Sequence, residues 1–194
     1  MQLTHKIKMK NKKFLTIKAF ASIAISSVFF ITSANAKVFE EFYDAPKFKT
    51  CFVPGEDCCS EIVNLIEKAK RKILIQAYVL TDPNICDALI IAKNNGVHVE
   101  VIIDRRQAHI KNSLVSKLIH NKVPVWVDSK VSIAHNKVII IDGYITITGS
   151  FNFTKSANKR NSENVIIIKD ERLSERYEQN WEKRKKVSDL ILIV

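Results

Sequence analysis

Apolar residues follow two different periods along the chain, and these periods predict alternating strands and helices. Continuous apolar runs rich in β-branched residues are typical of strands buried on both faces. Such strands are predicted over residues 72–80, 97–104, 123–127, 138–141 and 163–168. Apolar residues three and four positions apart are typical of helices with one buried face. Helices are predicted over residues 60–70, 83–95, 112–121 and 171–186.

The order of these elements predicts an α/β fold, in which a mixed β-sheet is flanked by helices on both faces. The sheet is mixed because residues 133–154 have the pattern of an antiparallel hairpin. Before the first helix, a short strand is expected at residues 38–43 and a loop at residues 46–57. No internal repeat is present, so residues 37–194 are predicted to form a single domain.

Residues 1–36 have the pattern of a secretory signal peptide. Five lysines between positions 6 and 13 precede an apolar run over residues 14–31, and Ala34-Asn35-Ala36 offers a cleavage site of small residues. A membrane anchor is the alternative, but the apolar run is short and Lys18 interrupts it. The protein is therefore expected to be secreted or periplasmic after cleavage near Ala36.

Removal of this segment changes the charge of the protein considerably. The full chain carries 31 Lys and Arg against 20 Asp and Glu, a formal net charge of +11. Six of the basic residues and none of the acidic ones lie in residues 1–36, so the remaining 158 residues carry about +5. This moderate excess is compatible with a polyanion or an anionic membrane surface as partner.

The four cysteines all lie in the part expected to be exported, which predicts disulfides. They are Cys51, Cys58, Cys59 and Cys86. Cys51 is expected to pair with Cys58 or Cys59 and to fix the segment before the first helix. A zinc site is the alternative, but no histidine stands beside these cysteines at ligand spacing.

The predicted hairpin, IAHNKVIIIDGYITITGSFNFT, carries an unusual set of polar residues. Asp142-Gly143 is a favoured two-residue hairpin turn, and this turn fixes the register of the two strands. The pairs expected to face each other are Lys137 with Thr148 and His135 with Ser150. Asp142 has the opposite parity from His135 and Lys137, so it is expected to act mainly as a turn former.

One face of this hairpin presents groups that suit a phosphate diester. His135 and Lys137 lie two residues apart and therefore point the same way, as do Ser150 and Asn152. Together they supply a nucleophile or base, a fixed cation and two neutral hydrogen-bond donors. Such a set matches the negative charge and the acceptor oxygens of a phosphate monoanion.

The motifs in this region resemble the HKD signature of the phospholipase D superfamily. They are HNKVIIID at residues 135–142, GSFNFT at residues 149–154 and NSEN at residues 161–164. The resemblance extends over nearly all of the chain after residue 38 and is strongest to small secreted bacterial members with one motif per chain. It implies a phospholipase D-like fold and hydrolysis of phosphodiesters.

The resemblance also implies a role for each residue of the motif. His135 would attack phosphorus and form a phosphohistidine intermediate, and Glu163 would hold the ring nitrogen that does not attack. Asp142 belongs to the signature and is counted with the catalytic residues. Its side chain is expected to point away from the face of His135 and Lys137, which favours a structural role. The residues that would bind the phosphate oxygens are Lys137, Ser150 and Asn152. No metal ion or other cofactor is expected, because these fixed donors supply the charge.

A mechanism of this kind needs a general acid for the leaving oxygen, and a second histidine would serve. The candidates after residue 36 are His98, His109 and His120. His109-Ile110-Lys111 imitates the start of the motif, but no acid follows at the right spacing. Larger family members carry two motifs, so the resemblance implies that this chain forms a homodimer with one shared active site. A monomer that uses water as the acid is the alternative.

The substrate class is less determined by the sequence than the reaction. Lys155, Lys159 and Arg160 follow the predicted phosphate patch and favour a nucleic acid, hence a non-specific endonuclease on DNA or RNA. Export, and a composition rich in Ile, Lys and Asn that resembles phospholipase D proteins of obligate intracellular bacteria, favour a phospholipid such as phosphatidylcholine. An inactive binding module is a third possibility, but it would require a broken motif. We favour the phospholipase D.

Overall fold

The structure is a computed structural model and is described for residues 46–107 and 114–191. The described residues form eight strands and five helices. The strands are β1 Lys47–Val53, β2 Lys72–Ala77, β3 His98–Asp104, β4 Val125–Asp128, β5 Lys137–Ile141, β6 Ile145–Gly149, β7 Glu163–Lys169 and β8 Asp189–Leu190. The helices are α1 Cys58–Glu67, α2 Pro83–Asn94, α3 Val115–His120, α4 Lys155–Lys159 and α5 Glu171–Lys185.

All eight strands belong to one mixed sheet, in the order β1-β7-β6-β5-β2-β3-β4-β8. Strands β2, β3 and β4 are parallel, whereas β5, β6, β7 and β1 pair antiparallel with their neighbours. Ala77 at the end of β2 lies opposite Lys137 at the start of β5. The edge of the sheet at which β2, β3 and β4 end is called the carboxyl edge below. Strand β5 begins there, and ligand sites of open α/β sheets commonly form at such an edge.

Helices cover both faces of the sheet, which confirms the predicted α/β architecture. On one face, α1 and α2 pack with the odd-numbered apolar residues of β2 and β3 into a large core. On the other face, α5 inserts Trp181 among Leu74, Ile102, Val138 and Ile140. The Trp181 indole donates to the carbonyl of Ile75 over 2.9 Å, so its polar atom is satisfied although the side chain is fully buried.

The ends of the longer helices follow from local chemistry. Asp82 accepts a hydrogen bond from Asn84 N at 2.9 Å, and Pro83 occupies the first turn of α2. Asp170 accepts a hydrogen bond from Leu173 N at 2.7 Å and caps α5 in the same way. These carboxylates satisfy backbone donors that a helix start leaves without a partner. The predicted start of the second helix at Pro83 is confirmed.

The prediction of a loop over residues 46–57 is wrong, because most of this segment forms edge strand β1. Residues 47–53 pair antiparallel with β7 along their whole length. Only Cys51 and Val53 are buried, while Phe48 and Phe52 are exposed, so the alternation typical of a half-buried strand covers too few residues to be recognised. The strand predicted at residues 38–43 and the signal peptide lie outside the described residues.

The predicted hairpin register is wrong by one residue. Ile141 pairs with Ile145, and not with Tyr144, so Lys137 does not face Thr148 and His135 does not face Ser150. Asp142 has φ 57° and Gly143 has φ 68°, as a two-residue turn requires, and Tyr144 N donates to the Ile141 carbonyl. However, the Tyr144 carbonyl accepts from Asp170 N, so Tyr144 is an extra residue that stands outside the β5–β6 ladder.

The cysteines divide into one disulfide and two free thiols. Cys51 near the end of β1 is bonded to Cys58, the first residue of α1, which decides between the two pairings that the sequence left open. Cys59 and Cys86 are free and buried. Within residues 46–107 and 114–191, the structure has no helix both long enough and apolar enough to span a bilayer.

Candidate active site

His135 lies at the carboxyl edge, two residues before β5. Its ring packs against Tyr78, which follows β2, with the ring centroids 4.5 Å apart and the planes tilted by 56°. The backbone holds this arrangement, because Tyr78 N donates to the Asn136 carbonyl over 2.8 Å. His135 itself is exposed, so its ring is accessible to a substrate.

Lys137 is the first residue of β5 and is buried, with 7% of its surface exposed. Its Nζ atom donates to the His135 carbonyl over 3.0 Å and lies 5.1 Å from the centroid of the Tyr78 ring. Burial lowers the pKa of this ammonium group below its ordinary value of 10.5, and the negative charge of Glu163 opposes this effect in part. The structure therefore fixes a cation, poorly solvated, directly beside His135.

Ser150 and Glu163 meet where β6 ends and β7 begins. The Ser150 hydroxyl donates to one carboxylate oxygen of Glu163, and Asn161 Nδ2 donates to the other over 2.8 Å. Asn164 N in turn donates to the Ser150 hydroxyl over 3.1 Å. Glu163 is close enough to Lys137 to act on it electrostatically. Ser150, Glu163 and Lys137 therefore belong to one cluster of polar side chains.

Gly149 makes this close approach of strands possible. It has φ +149°, and a Cβ atom at this position would lie 2.2 Å from the Asn164 carbonyl oxygen. That oxygen accepts a hydrogen bond from Ser150 N. A residue with a side chain would therefore separate β6 from β7 just where Ser150 has to meet Glu163.

Asn152 lies in the segment after β6, which is attached firmly to the segment after β2. The Phe153 carbonyl accepts hydrogen bonds from Thr81 N and Asp82 N, both at 2.9 Å. The side-chain oxygen of Asn152 is buried and has no hydrogen-bond partner among the described residues. The predicted phosphate-binding residues Lys137, Ser150 and Asn152 thus all lie at the carboxyl edge, although the register that predicted their convergence was off by one residue.

Asp142 lies at the other end of β5, and its contacts there are all with the segment that leads into β2. The backbone N–H groups of residues 70–72 donate to its carboxylate over distances of 2.7 to 3.0 Å. Burial alone would raise the pKa of Asp142, but these hydrogen bonds and the charge of Arg71 outweigh burial and hold the pKa below 3.8. Asp142 therefore takes no part in the carboxyl-edge cluster, and its contacts are those of a turn former.

Two of the three other histidines considered lie away from His135. His98 begins β3, at the opposite edge of the sheet, and its Nε2 is 2.8 Å from Glu100 Oε1. His120 ends α3, and its Nδ1 is 2.6 Å from the Ser116 carbonyl oxygen. His109 is outside the described residues. Neither His98 nor His120 is placed to act as a second group beside His135.

Sequence reasoning missed two residues that shape the site. Tyr78 supports both His135 and Lys137, yet a single aromatic residue after a strand has no distinctive pattern. Asp104 ends β3 and accepts hydrogen bonds from Ala134 N at 2.8 Å and Arg106 N at 2.9 Å, which fixes the loop before His135. An acidic residue at the end of a buried apolar strand was the available signal for Asp104.

In the part of the chain that the structure describes, Glu163 does not make the hydrogen bond to His135 that the resemblance implies for it. One of its carboxylate oxygens accepts from Ser150 and the other from Asn161. No hydrogen bond joins Glu163 to His135 within the described part of one chain.

The same described residues contain no group of three or more His, Cys, Asp and Glu placed to hold a metal ion. An accessible imidazole beside a buried ammonium, with hydroxyl and amide groups nearby, is suited to nucleophilic attack on a phosphodiester.

The fold and this cluster define a phosphodiesterase. The sequence model of the family described as "Cardiolipin synthase, PLD-like domain" matches residues 62–185, and the chain belongs to this family within the phospholipase D superfamily. A protein named phospholipase D from Rickettsia prowazekii is 40% identical over 95% of this chain and 99% of its own length.

Two further relatives extend the comparison. A protein named mitochondrial cardiolipin hydrolase from Chlamydomonas reinhardtii is 32% identical over 64% of this chain and 56% of its own length. The crystal structure of Nuc, a phospholipase D family member from Salmonella typhimurium, superposes with a TM-score of 0.73 and 33% identity, covering 77% of this chain and 100% of that one. These findings confirm the resemblance, the fold and the enzyme class predicted from the sequence.

Proposed function

We propose that this phosphodiesterase is a phospholipase D, which hydrolyses the headgroup diester of a phospholipid such as phosphatidylcholine. The observation that carries the proposal is the position of His135, exposed at the carboxyl edge and backed by Tyr78 and the buried Lys137. The relatives named phospholipase D and cardiolipin hydrolase support a lipid as the substrate.

In the proposed reaction, a ring nitrogen of His135 attacks phosphorus and the bond to the headgroup oxygen breaks. The headgroup leaves as an alcohol after it takes up a proton, and the phosphatidyl group stays on His135. A water molecule then attacks phosphorus, the P–N bond breaks and phosphatidate is released. Lys137, Ser150 and Asn152 bind the non-bridging oxygens and stabilise the charge that develops on them. Both steps use the same phosphate position, which is why a fixed cation is effective here.

The proton donor for the leaving oxygen is proposed to be His135 of a second copy of the chain. His98 and His120, the other described histidines, lie away from the site. In a two-fold dimer that joins two carboxyl edges, each copy supplies one imidazole to a shared site. We therefore propose a homodimer.

The endonuclease is the second candidate, because exposed basic residues follow the site directly. Lys155 and Lys159 belong to the short helix α4, and Arg160 comes next in the chain. A nucleic-acid backbone that crosses the site would meet these charges. We rank this function second because nothing else in the described structure favours a nucleic acid over a lipid.

The decisive experiment compares the two substrates on purified protein with a chelator present. We expect release of choline from phosphatidylcholine vesicles and no nicking of plasmid DNA. His135→Asn is expected to abolish the release, while His98→Asn, a histidine variant at the opposite edge of the sheet, keeps it. Nicking of plasmid without release of choline would replace the phospholipase by the endonuclease.

The shared site is tested by mixing subunits. If each site needs two copies of His135, then exchange of wild-type protein with an excess of His135→Asn subunits lowers the activity well below simple dilution. Activity that falls only in proportion to dilution, together with a single-chain mass on gel filtration, would contradict the homodimer.

Export is part of the proposal and rests on the sequence pattern of residues 1–36. The Cys51–Cys58 disulfide supports it, because such bonds persist in oxidising compartments. N-terminal sequencing of the processed protein tests it, and the expected mature chain begins just after Ala36.

A further inference from the structure

Asn158 on the short helix α4 binds the start of α1, which lies about a hundred residues earlier in the chain. From these contacts we infer that Asn158 is a positioning residue for the reaction, which acts through Glu163. The inference rests on the proposed function only as far as the cleavage of a phosphodiester, and it holds for a lipid or a nucleic acid. Asn158, Asp57 and the Cys51–Cys58 disulfide are together called the α4 anchor.

Helix α4 connects two parts of the candidate active site. Asn152 lies three residues before it, and Asn161 follows it and donates to the Glu163 carboxylate over 2.8 Å. Asn161 N donates to the Ser156 carbonyl over 3.2 Å, so the position of Asn161 depends on the last turn of α4. A shift of α4 would therefore displace the side chain that holds one oxygen of Glu163.

The two ends of α4 are held in different ways. Before the helix, the Phe153 carbonyl accepts two backbone hydrogen bonds from the segment after β2. Toward its end, the described hydrogen bonds that join α4 to another helix are both made by Asn158. Its side-chain oxygen accepts from Cys59 N over 3.1 Å, and its Nδ2 donates to Asp57 Oδ1 over 2.9 Å. Loss of Asn158 would release the end of α4 that leads to Asn161.

Asn158 is a buried amide whose donor and acceptor are both used. The residue is 8% exposed, and burying an amide is costly unless its polar atoms find partners. Asp57 also accepts from Ser60 N over 3.1 Å and so caps α1. The hydrogen bond from Asn158 is the main reason why the pKa of Asp57 lies below 3.8. The carboxylate of Asp57 is thus shared between α1 and α4.

The disulfide leads from this contact back to the site. Cys58 stands between the two residues that Asn158 binds, and it is bonded to Cys51 of β1. Strand β1 pairs with β7 along its whole length, and Val53 at its end lies opposite Glu163. The links through the disulfide, Asn158 and α4 therefore form a closed ring that begins and ends beside Glu163. Breaking one link of a ring removes the same restraint as breaking two.

Glu163 matters for the reaction because it holds groups near the phosphate position. It accepts from the Ser150 hydroxyl and acts electrostatically on Lys137. Misplacing such groups by about 1 Å lowers a rate by up to about 100-fold. Because preorganised donors act on the charge that develops in the transition state, a loosened Glu163 is expected to lower kcat more than it raises KM.

The first experiment measures cleavage of bis(p-nitrophenyl) phosphate, a small diester that contains neither lipid nor nucleic acid. Asn158→Ala is expected to lower kcat about tenfold and to change KM less than about twofold. Rates are divided by the folded fraction, measured by circular dichroism. Asp170→Ala, which removes the cap of α5 near the hairpin turn, is the control that lowers stability and leaves kcat unchanged. An unchanged kcat in Asn158→Ala would overturn the inference.

Exchanging two side chains tests the hydrogen bonds themselves. Asn158→Asp alone places a second carboxylate against Asp57 and is expected to lower kcat as much as Asn158→Ala does. With Asp57→Asn added, the amide donates to the carboxylate in the reverse direction and still caps α1. We expect kcat to return to within about threefold of the unsubstituted value. A folded double variant without recovery would contradict the anchor.

Removing the disulfide tests the ring. Cys51→Ala with Cys58→Ala is expected to lower kcat to a similar extent, and Asn158→Ala added to this pair is expected to cause little further loss. Losses that multiply, or an unchanged kcat in the cysteine pair, would overturn the ring. Cys86→Ala removes a buried free thiol from the same core and is expected to leave kcat unchanged.

Hydrogen exchange gives a result that does not depend on activity. Asn164 N donates to the Ser150 hydroxyl, and exchange of this amide is expected to become about tenfold faster in Asn158→Ala but not in Asp170→Ala. Unchanged exchange would overturn the inference. If the unsubstituted protein cleaves no diester while exchange responds as expected, the proposed function is wrong and the α4 anchor stands.

Discussion

The two ends of strand β5 carry the polar residues of one short motif, but they differ in almost every physical respect. At the carboxyl edge, Lys137 is buried, a carbonyl is its only hydrogen-bond partner among the described residues, and burial lowers the pKa of its ammonium group. At the turn, Asp142 is hydrogen-bonded to three backbone N–H groups, which hold the pKa of its carboxyl group down. The protein therefore holds a poorly satisfied charge at one end and a fully satisfied charge at the other.

This difference separates a site for chemistry from a site for folding. A buried charge that lacks partners costs stability, and such groups persist where a ligand completes their interactions. A carboxylate that accepts three backbone hydrogen bonds fixes a chain connection and has most of its acceptor capacity occupied. The motif residues at the two ends of β5 are thus expected to respond to substitution in opposite ways.

The largest expected effect is on the cleavage rate at Lys137, where a substitution is expected to lower activity without lowering stability. Lys137→Met removes the fixed cation and is expected to lower the rate of diester cleavage about 10³-fold, as loss of a preorganised donor does. The free energy of unfolding is expected to stay equal or to rise, because an apolar side chain of similar size replaces a poorly paired buried charge. Rate measurements and urea unfolding on the same protein check both parts. A large loss of stability would assign Lys137 to the fold instead of the site.

The glycines at the two ends of the hairpin extend the comparison to the backbone. At Gly149 a Cβ atom would lie 2.2 Å from the Asn164 carbonyl oxygen, whereas at Gly143 the nearest atom would be the Lys72 Cε at 3.7 Å. Gly149→Ala is expected to cost about 3 kcal/mol, because β6 and β7 have to separate. Gly143→Ala is expected to cost about 1 kcal/mol, for its left-handed conformation alone. Thermal or urea unfolding measures both, and similar costs would contradict the close approach at Gly149.

Features with strong local signals could be predicted from the sequence, whereas features set by distant contacts could not. The strands around Ile75 and Ile103 and the helix that starts at Pro83 were predicted correctly, because long apolar runs and a capped proline are strong local signals. The motif placed the candidate site residues on or beside the hairpin strands and at the start of the next strand, where the structure also has them. The hairpin register was wrong because one extra residue, Tyr144, is set by a hydrogen bond with Asp170, which is distant in sequence. Strand β1 was missed because only Cys51 and Val53 are buried.

Asp142→Asn tests the turn end, with a smaller effect on stability and little on chemistry. An amide oxygen can accept only part of the three backbone hydrogen bonds, and its NH₂ group opposes the remainder, so a loss of about 2 kcal/mol in unfolding free energy is expected. The folded protein is expected to retain its cleavage rate at low temperature. Chemical denaturation and rate measurements check both outcomes.

The pH dependence supplies the control for this substitution. Since the pKa of Asp142 is lower in the folded state than its ordinary value of 3.8, its stabilising effect is present above that value and disappears as the pH falls through the lowered pKa. The stability difference between wild type and Asp142→Asn is therefore expected to be constant at neutral pH and to shrink below about pH 4. A difference that grows as the pH falls would contradict the hydrogen bonds assigned to Asp142.

The smallest expected effect concerns the coupling of Glu163 to Lys137. Glu163 partly offsets the lowering of the Lys137 pKa that burial causes, so Glu163→Gln is expected to lower that pKa further. Loss of the lysine proton then begins at lower pH, and NMR titration of the Lys137 side chain measures this apart from the proton-donating histidine, which sets the alkaline limb of the pH–rate profile. A one-unit pKa shift alters the protonated fraction at most tenfold, so the rate at a fixed pH changes by less than about that factor. Glu56→Gln, an exposed acid at the same edge, is the matched control. If the Lys137 titration is unchanged and a limb of the pH–rate profile moves instead, Glu163 acts on a histidine, within the chain or across a dimer, and not mainly on Lys137.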